Sequence, residues 1–227
     1  MLTRILEPEV MDTVAEAVDY NSMDHSAVNR VFVDDFLIAL AKLKTSSMAA
    51  PRVFDAGTGT ALIPLELLKR GVPVAITASD LAEQMLVVAR ENVAKAGFDN
   101  SITLVLRDCK RLPDQTGTYD AVMSNSIVHH IPEPGLVLAE LWRVLKPGGL
   151  LFVRDLMRPT DQSTLDDIVQ TYSGDSNTHQ QQMFRDSLRA ALTVDEVGRL
   201  LAGLGILQEA VQATSDRHWT IVAYKPE

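Results

Sequence analysis

The chain has 227 residues, 46% of them apolar, which suffices for one globular unit with a sizeable buried core. Its 21 basic and 30 acidic residues give a net charge of −9, a field that repels phosphate backbones and argues against nucleic acid as a partner. The single cysteine, Cys109, excludes an intramolecular disulfide and agrees with a reducing compartment.

The opening M-L-T-R-I-L-E-P-E-V carries acid from its seventh residue and no apolar run reaches membrane-spanning length, so the expected location is cytoplasmic, with no membrane partner. Residues 1–50 read as a helical segment that includes D-Y-N-S-M-D-H-S-A-V-N-R at 19–30. T-S-S-M-A-A-P then joins it to an alternation of strand-like and helix-like stretches over 51–227. Strands are predicted at Arg52–Asp55, Val72–Ser79, Ser101–Leu106, Asp120–Ser124 and Leu150–Arg154, mostly short apolar runs of the kind a sheet covered on both faces requires. Helices are predicted at 62–70, 82–96 and 134–145; the first has Pro64 in its opening turn and Gly71 just past its end. This βα repetition predicts a doubly wound, mostly parallel α/β sheet.

After the fifth strand, a polar stretch and F-R-D-S-L-R-A-A-L read as a helical insertion at about residues 159–192. Thr193 and Glu196 form a capping box that starts a helix burying Val197, Leu200, Leu201 and Leu204. Two further strands, Gly205–Val211 and His218–Tyr224, have no helix between them, so that last pair is predicted to be antiparallel and the sheet seven-stranded.

The chemistry starts at V-F-D-A-G-T-G-T-A, residues 53–61. Gly57 and Gly59 let the backbone pass through conformations a β-carbon forbids and approach a ligand at the carboxyl end of the first strand. A dinucleotide fingerprint would place a third glycine at G-x-G-x-x-G, but T-A-L follows Gly59. Asp55 decides between the two cofactor classes, because a carboxylate suits an amino acid's ammonium group and is ill placed beside a pyrophosphate.

D-x-G-x-G after a first strand resembles the first motif of class I S-adenosylmethionine (SAM) methyltransferases. Further stations of that family follow in order: I-T-A-S-D with Asp80, R-D-C with Asp108, Y-D-A-V-M-S-N-S, and L-K-P-G-G-L-L-F-V. The resemblance is close over 52–155 and implies SAM as cofactor and a Rossmann-like class I fold. It implies that the turn Asp55, Ala56, Gly57, Thr58 and Gly59 holds the cofactor, with Asp80 on both ribose hydroxyls. It likewise implies Asp108 on the adenine amino group, the Cys109 N–H on a ring nitrogen, Leu81 and Met85 on the adenine faces, and the Asn125 carbonyl on the ammonium group. Where the family has a third glycine this chain has Ala61, an extra methyl expected to be tolerated. In related enzymes an amino-terminal helical segment covers the cofactor, which would bring Tyr20 to the methionine end.

Methyl transfer by SAM is an in-line displacement dominated by alignment, and a base is needed only where the acceptor must lose a proton. His129 and His130, in S-N-S-I-V-H-H-I-P after the fourth strand, are the candidates for base or substrate ligand; the alternative is a local capping role. The missing N/D-P-P-Y-type sequence disfavours amine chemistry on a nucleobase. Arg154, Asp155 and Arg158, then Arg185 and Arg189, then Arg217 and His218 are candidate substrate residues, since arginine forks suit a carboxylate or phosphate on a small acceptor. Local pairing is the alternative: Asp186 precedes Arg189 by three residues and Asp216 adjoins Arg217. No metal is expected, because adjacent histidines cannot share one helix face. The expected activity is methyl transfer to a small molecule, anionic if the arginines bind it, with two alternatives: non-methyl chemistry on SAM, as in enzymes resembling carboxy-SAM synthase, or a SAM-binding subunit without turnover.

Overall fold

Short apolar runs separated by helices fold into a seven-stranded sheet in the computed structural model, which describes residues 2–10, 12–43 and 50–227. The strands are β1 (Arg52–Ala56), β2 (Ala75–Asp80), β3 (Ile102–Leu106), β4 (Tyr119–Asn125), β5 (Leu145–Leu156), β6 (Val211–Ala213) and β7 (His218–Tyr224). Their spatial order is β3-β2-β1-β4-β5-β7-β6, with β1 parallel to β2 and β4, β2 parallel to β3, and β6 antiparallel to β7. The mostly parallel, doubly wound architecture read from the βα alternation is therefore the one found. From β1 the chain steps outward to β2 and β3, then returns to β4 on the other side of β1. That reversal is the topological switch point, where open α/β sheets hold ligands at the carboxyl ends of their strands.

The helices are α1 (Val14–Ser22), α2 (Ser26–Leu40), α3 (Leu62–Lys69), α4 (Glu83–Ala96), α5 (Pro134–Val144), α6 (Gln162–Ser173), α7 (Thr178–Ala190) and α8 (Val194–Gly203). Both side-chain and backbone halves of a capping box are present at Thr13/Glu16, Asn177/Gln180 and Thr193/Glu196, so the starts of α1, α7 and α8 are set by local chemistry. α6 and α7 occupy the predicted insertion. The T-S-S-M-A-A-P junction lies almost entirely outside the described residues.

Three predicted strands differ, β2 by beginning at Ala75 and not Val72. The run Gly205–Val211 is a helix terminus: Gly205 takes φ +73 and the Ile206 N–H donates to Leu201 O, closing α8, so the strand begins only at Val211. β5 begins at Leu145 instead of Leu150, because the Gly148 N–H donates to Lys225 O and the Lys225 N–H to Gly149 O. A β-carbon on Gly149 would lie 2.9 Å from Lys146 O and 3.0 Å from Asp120 O, an approach that requires glycine.

The chain divides into two units, each discontinuous in sequence. One comprises Val10–Asn125, Leu136–Val153 and Val222–Glu227; the other comprises Met1–Glu9, Ser126–Gly135 and Arg154–Ile221. The core of the first joins Phe32 and Phe36 of α2, edge-on to Phe152, with Val53, Leu67, Ile76, Val93 and Met123. The core of the second joins Leu156, Leu165, Ile168, Val169, Leu188 and Ala191.

Candidate functional site

In the first unit, strand register places the acids together. Asp55 pairs with Ala78, Ala56 with Ser79, and Asp80 with Leu106, so the carboxyl ends of β1, β2 and β3 are level and Asp108 follows two residues beyond β3. Gly57 and Gly59 have φ of +72 and +54, and the Gly57 and Thr58 N–H groups both donate to Ser79 O, which folds the turn onto β2. The Gly59 N–H donates to Asp80 Oδ2 at 2.7 Å and the Ala82 N–H to Asp80 Oδ1 at 2.9 Å. The third turn position, Ala61, takes φ +64 although it carries a β-carbon.

These acids are not satisfied in the same way. Asp55 is 2% exposed, and its Oδ2 has no hydrogen-bond partner. Burial, opposed by the Thr58 hydroxyl and reinforced by the charge of Asp80, pushes its carboxyl up to about 7. Burial also raises Asp80, against the N–H donors of Ala82 and Gly59. On the neighbouring strand Asn125 Oδ1 is likewise a buried acceptor with no donor. Asp108 Oδ1 accepts from the Lys110 N–H, and Cys109 is buried beside Ser79 Oγ at 3.5 Å, its thiol pushed up to about 12 by burial. Met85 is buried and Leu81 is exposed.

The α1 helix packs over this turn. Ala17 and Tyr20 contact Ala82 and Met85, the Gln84 N–H donates to Asp12, and Asn92 donates to both Asn21 and Thr60 O. The Tyr20 ring comes within 3.5 Å of where a β-carbon on Gly59 would lie, and its phenol is pushed up to about 12 by burial and by the charges of Asp80 and Asp55.

A family profile described as a methyltransferase domain matches residues 54–153, the stretch that carries all of these acids. Over that stretch the chain is similar to a methyltransferase domain. The ubiquinone/menaquinone biosynthesis C-methyltransferase of Geobacter sulfurreducens is 32% identical over 109 residues, 48% of this chain and 43% of the relative. The ubiquinone biosynthesis O-methyltransferase of Xanthomonas oryzae pv. oryzae is 35% identical over 115 residues, 49% of this chain and 45% of the relative. The chain thus spans under half the length of either relative. Among solved structures, a SAM-dependent methyltransferase from Aquifex aeolicus has a TM-score of 0.65 at 19% identity, covering 94% of this chain and 99% of that one. The plantazolicin methyltransferase BpumL, in complex with a pentazolic desmethylPZN analog and SAH, has a TM-score of 0.71 at 13% identity, covering 94% of this chain and 90% of that one. At these identities the two structures speak for the fold.

The second unit of the chain holds a different cluster. Ser126, at φ +58, turns the chain out of β4 and its N–H donates to Arg154 O; a 3-10 turn, Val128–His130, follows. Asp155 is fully buried and accepts from the Val128 N–H at 2.5 Å, the His129 N–H at 3.2 Å, the Leu156 N–H at 2.6 Å and His129 Nδ1 at 2.5 Å. Burial alone would raise this carboxyl, but the charge and hydrogen bond of His129 outweigh it and hold it below the carboxylate range. Burial would likewise lower His129, yet Asp155 and Glu7 hold it raised.

Both ring nitrogens of His129 face carboxylates, because Nε2 lies 3.4 Å from Glu7 Oε1. His130 Nδ1 lies 3.1 Å from the same oxygen, and the two rings sit side by side with centroids 4.1 Å apart. The expectation that adjacent histidines are kept apart fails here, since it assumed an α-helix and the tighter turn brings both rings to Glu7. Glu7, and Arg4 whose guanidinium donates to the carbonyls of Ala190, His129 and Ile131, were not singled out from the sequence.

The predicted substrate residues are dispersed among partners. Arg158 donates to Ala191 O and pairs with Glu196 at 2.6 Å; Arg185 pairs with Asp166 and Arg189 donates to Gln162, both tying α7 to α6. Arg217 pairs with Asp216 at 2.9 Å and stacks 3.2 Å over the Tyr172 ring, while Arg154 Nε donates to Thr220 Oγ1. His218 Nδ1 lies 2.9 Å from Ser215 Oγ, and burial, with the charges of Arg217 and Arg154, pushes the ring down to about 4. Among the described residues no helix is long and apolar enough to cross a membrane.

Proposed function

We propose that the protein transfers the methyl group of SAM to a small-molecule acceptor. The observation that carries this is the pair of buried acceptors without donors, Asp55 Oδ2 and Asn125 Oδ1, on neighbouring strands at the switch point. Two donor-less acceptors, one of them a carboxylate, call for a cationic donor, and the ammonium group of SAM is one. Asp80 keeps lone pairs beyond those used by Gly59 and Ala82, enough for two ribose hydroxyls. Asp108 Oδ2 and the Cys109 N–H serve the adenine edge, with Leu81 and Met85 on its faces. Tyr20 and the segment before it act as the cover of the methionine end. SAM supplies an activated methyl group; the chain's task is to align the acceptor behind it and exclude water.

His130, the less committed of the two imidazoles, is the better candidate for contact with acceptor or its proton. His129 serves through its bond to Asp155. An anionic acceptor is the finer reading, resting on Arg154 and Arg217, whose charges act on His218 together with those of Asp155 and Asp216. The relatives named for quinone biosynthesis support a small aromatic hydroxyl or carbon acceptor. A cytoplasmic location fits such a metabolite.

The test is incubation with methyl-labelled SAM and a metabolite extract, read by mass spectrometry. Demethylated cofactor together with a labelled small molecule is expected. Modified SAM, or SAM bound and unchanged across broad extracts, would overturn the proposal.

A further inference from the structure

We infer that Glu7, His129 and His130 form a three-ligand site for a divalent first-row transition-metal ion, with Asp155 as the carboxylate behind His129. Glu7 Oε1 and His130 Nδ1 are buried atoms that approach to 3.1 Å as an ion pair without satisfying hydrogen-bond geometry. With His129 Nε2 they make three ligand atoms within 4.8 Å of one another. Metal bonds of about 2.0–2.1 Å at tetrahedral angles put ligand atoms about 3.4 Å apart. The Glu7–His129 separation is 3.4 Å and the Glu7–His130 separation 3.1 Å, so two of the three separations already match, and the two histidine nitrogens lie within 4.8 Å of each other.

The surroundings are those a metal histidine has. His129 Nδ1 meets Asp155 Oδ1 at 2.5 Å, which fixes the ring so that Nε2 faces Glu7 and raises its basicity. Two imidazoles and one carboxylate suit zinc, cobalt, nickel or iron(II), and would bind magnesium or calcium poorly. Three protein ligands leave a fourth position for water or an exogenous oxygen or nitrogen.

The experiment uses the full chain, purified without an affinity tag and stripped with chelator. Titration with Zn²⁺ by calorimetry, in two buffers of different ionisation enthalpy, should show one ion per chain and proton release. Co²⁺ should give the visible bands of a four- or five-coordinate nitrogen/oxygen site. His130→Ala should weaken Zn²⁺ binding by more than about 100-fold, and Glu7→Gln similarly, while His179→Ala leaves it unchanged. A parent that binds Zn²⁺ no more tightly than His130→Ala would overturn the site, as would an unchanged Co²⁺ spectrum in Glu7→Gln. Should the variants fail to fold, the parent decides: a Co²⁺ spectrum of the aquo ion alone defeats the proposal.

Discussion

Asp55 and Asp155 are both buried carboxylates near the ends of parallel strands, and the chain treats them oppositely. Asp155 receives three backbone N–H groups and an imidazole. Asp55 keeps one oxygen, Oδ2, without a satisfied hydrogen bond, the Thr58 hydroxyl being the one side-chain donor that acts on its carboxyl. The first is stabilised by its own fold; the second carries an unmet cost of burial, which a ligand offsets. A carboxylate's environment thus separates framework from binding surface better than its burial does. The sharpest way to break the comparison is Asp155→Ala, which leaves His129 buried without its counter-ion and the Val128 and His129 N–H groups without an acceptor. Loss of about 3–5 kcal/mol in denaturant unfolding is expected. A loss below about 1 kcal/mol would place Asp155 outside the framework.

Next in size is the cofactor side. Asp80→Ala should weaken SAM binding by about 1.5–3 kcal/mol in calorimetry, the range for hydrogen bonds to a charged group, without unfolding the protein. Asp80→Asn retains an acceptor for one of the Gly59 and Ala82 N–H groups and should lose less. Equal losses in the two variants would mean that the turn, rather than the ribose contact, sets the affinity.

The two regions also differ in how far they could be read from sequence. The mostly parallel sheet, the antiparallel last pair and the row Asp55, Asp80, Asp108 were legible because each acid sits at the end of an apolar run beside its own turn. The Asp155 cluster was only half legible. His129, His130, Asp155 and Arg158 stood out as residue types, but Arg4, Glu7 and Glu196 reach them across the sequence, and no local pattern marks an ordinary acid in I-L-E-P-E. The 205–211 run misled for a physical reason: an apolar helix terminus capped at Gly205 has a strand's composition.

A smaller effect follows from the unmet charge on Asp55. Its carboxyl rises from an ordinary 3.8 to about 7 by burial, so below that pH the protonated form predominates and an ammonium group has no anion to meet. SAM affinity should fall by up to about tenfold per pH unit below 7 and level off above, with proton release on binding near neutrality. Asp55→Asn should bind weakly and without this slope. The sign for stability is opposite. A folded-state value above the unfolded one contributes stability below about 4 that is lost as pH rises through about 7. Asp55→Asn, neutral throughout, should therefore unfold later than the parent at pH 8, with the gap closing toward pH 4. A flat affinity profile, or a variant less stable at pH 8, would put Asp55 among the satisfied carboxylates with Asp155.

The smallest effect expected is at Ala61, where the turn departs from the family's glycine. At φ +64 an L-residue pays a left-handed conformation of roughly 1–2 kcal/mol that glycine does not. Against this, Ala61→Gly removes a fully buried methyl worth about 0.8 kcal/mol and loosens the unfolded chain by roughly 0.5–1 kcal/mol. The terms nearly cancel, so the unfolding free energy should change by less than about 1 kcal/mol and SAM affinity should not move, since Gly57 and Gly59 already supply the close backbone approach. A loss well beyond about 1 kcal/mol would show that the methyl is packed into the start of α3 as a core group. Ala61→Val, which adds β-branching at the same left-handed position, should destabilise clearly, because the conformation it must adopt is an outlier for such residues.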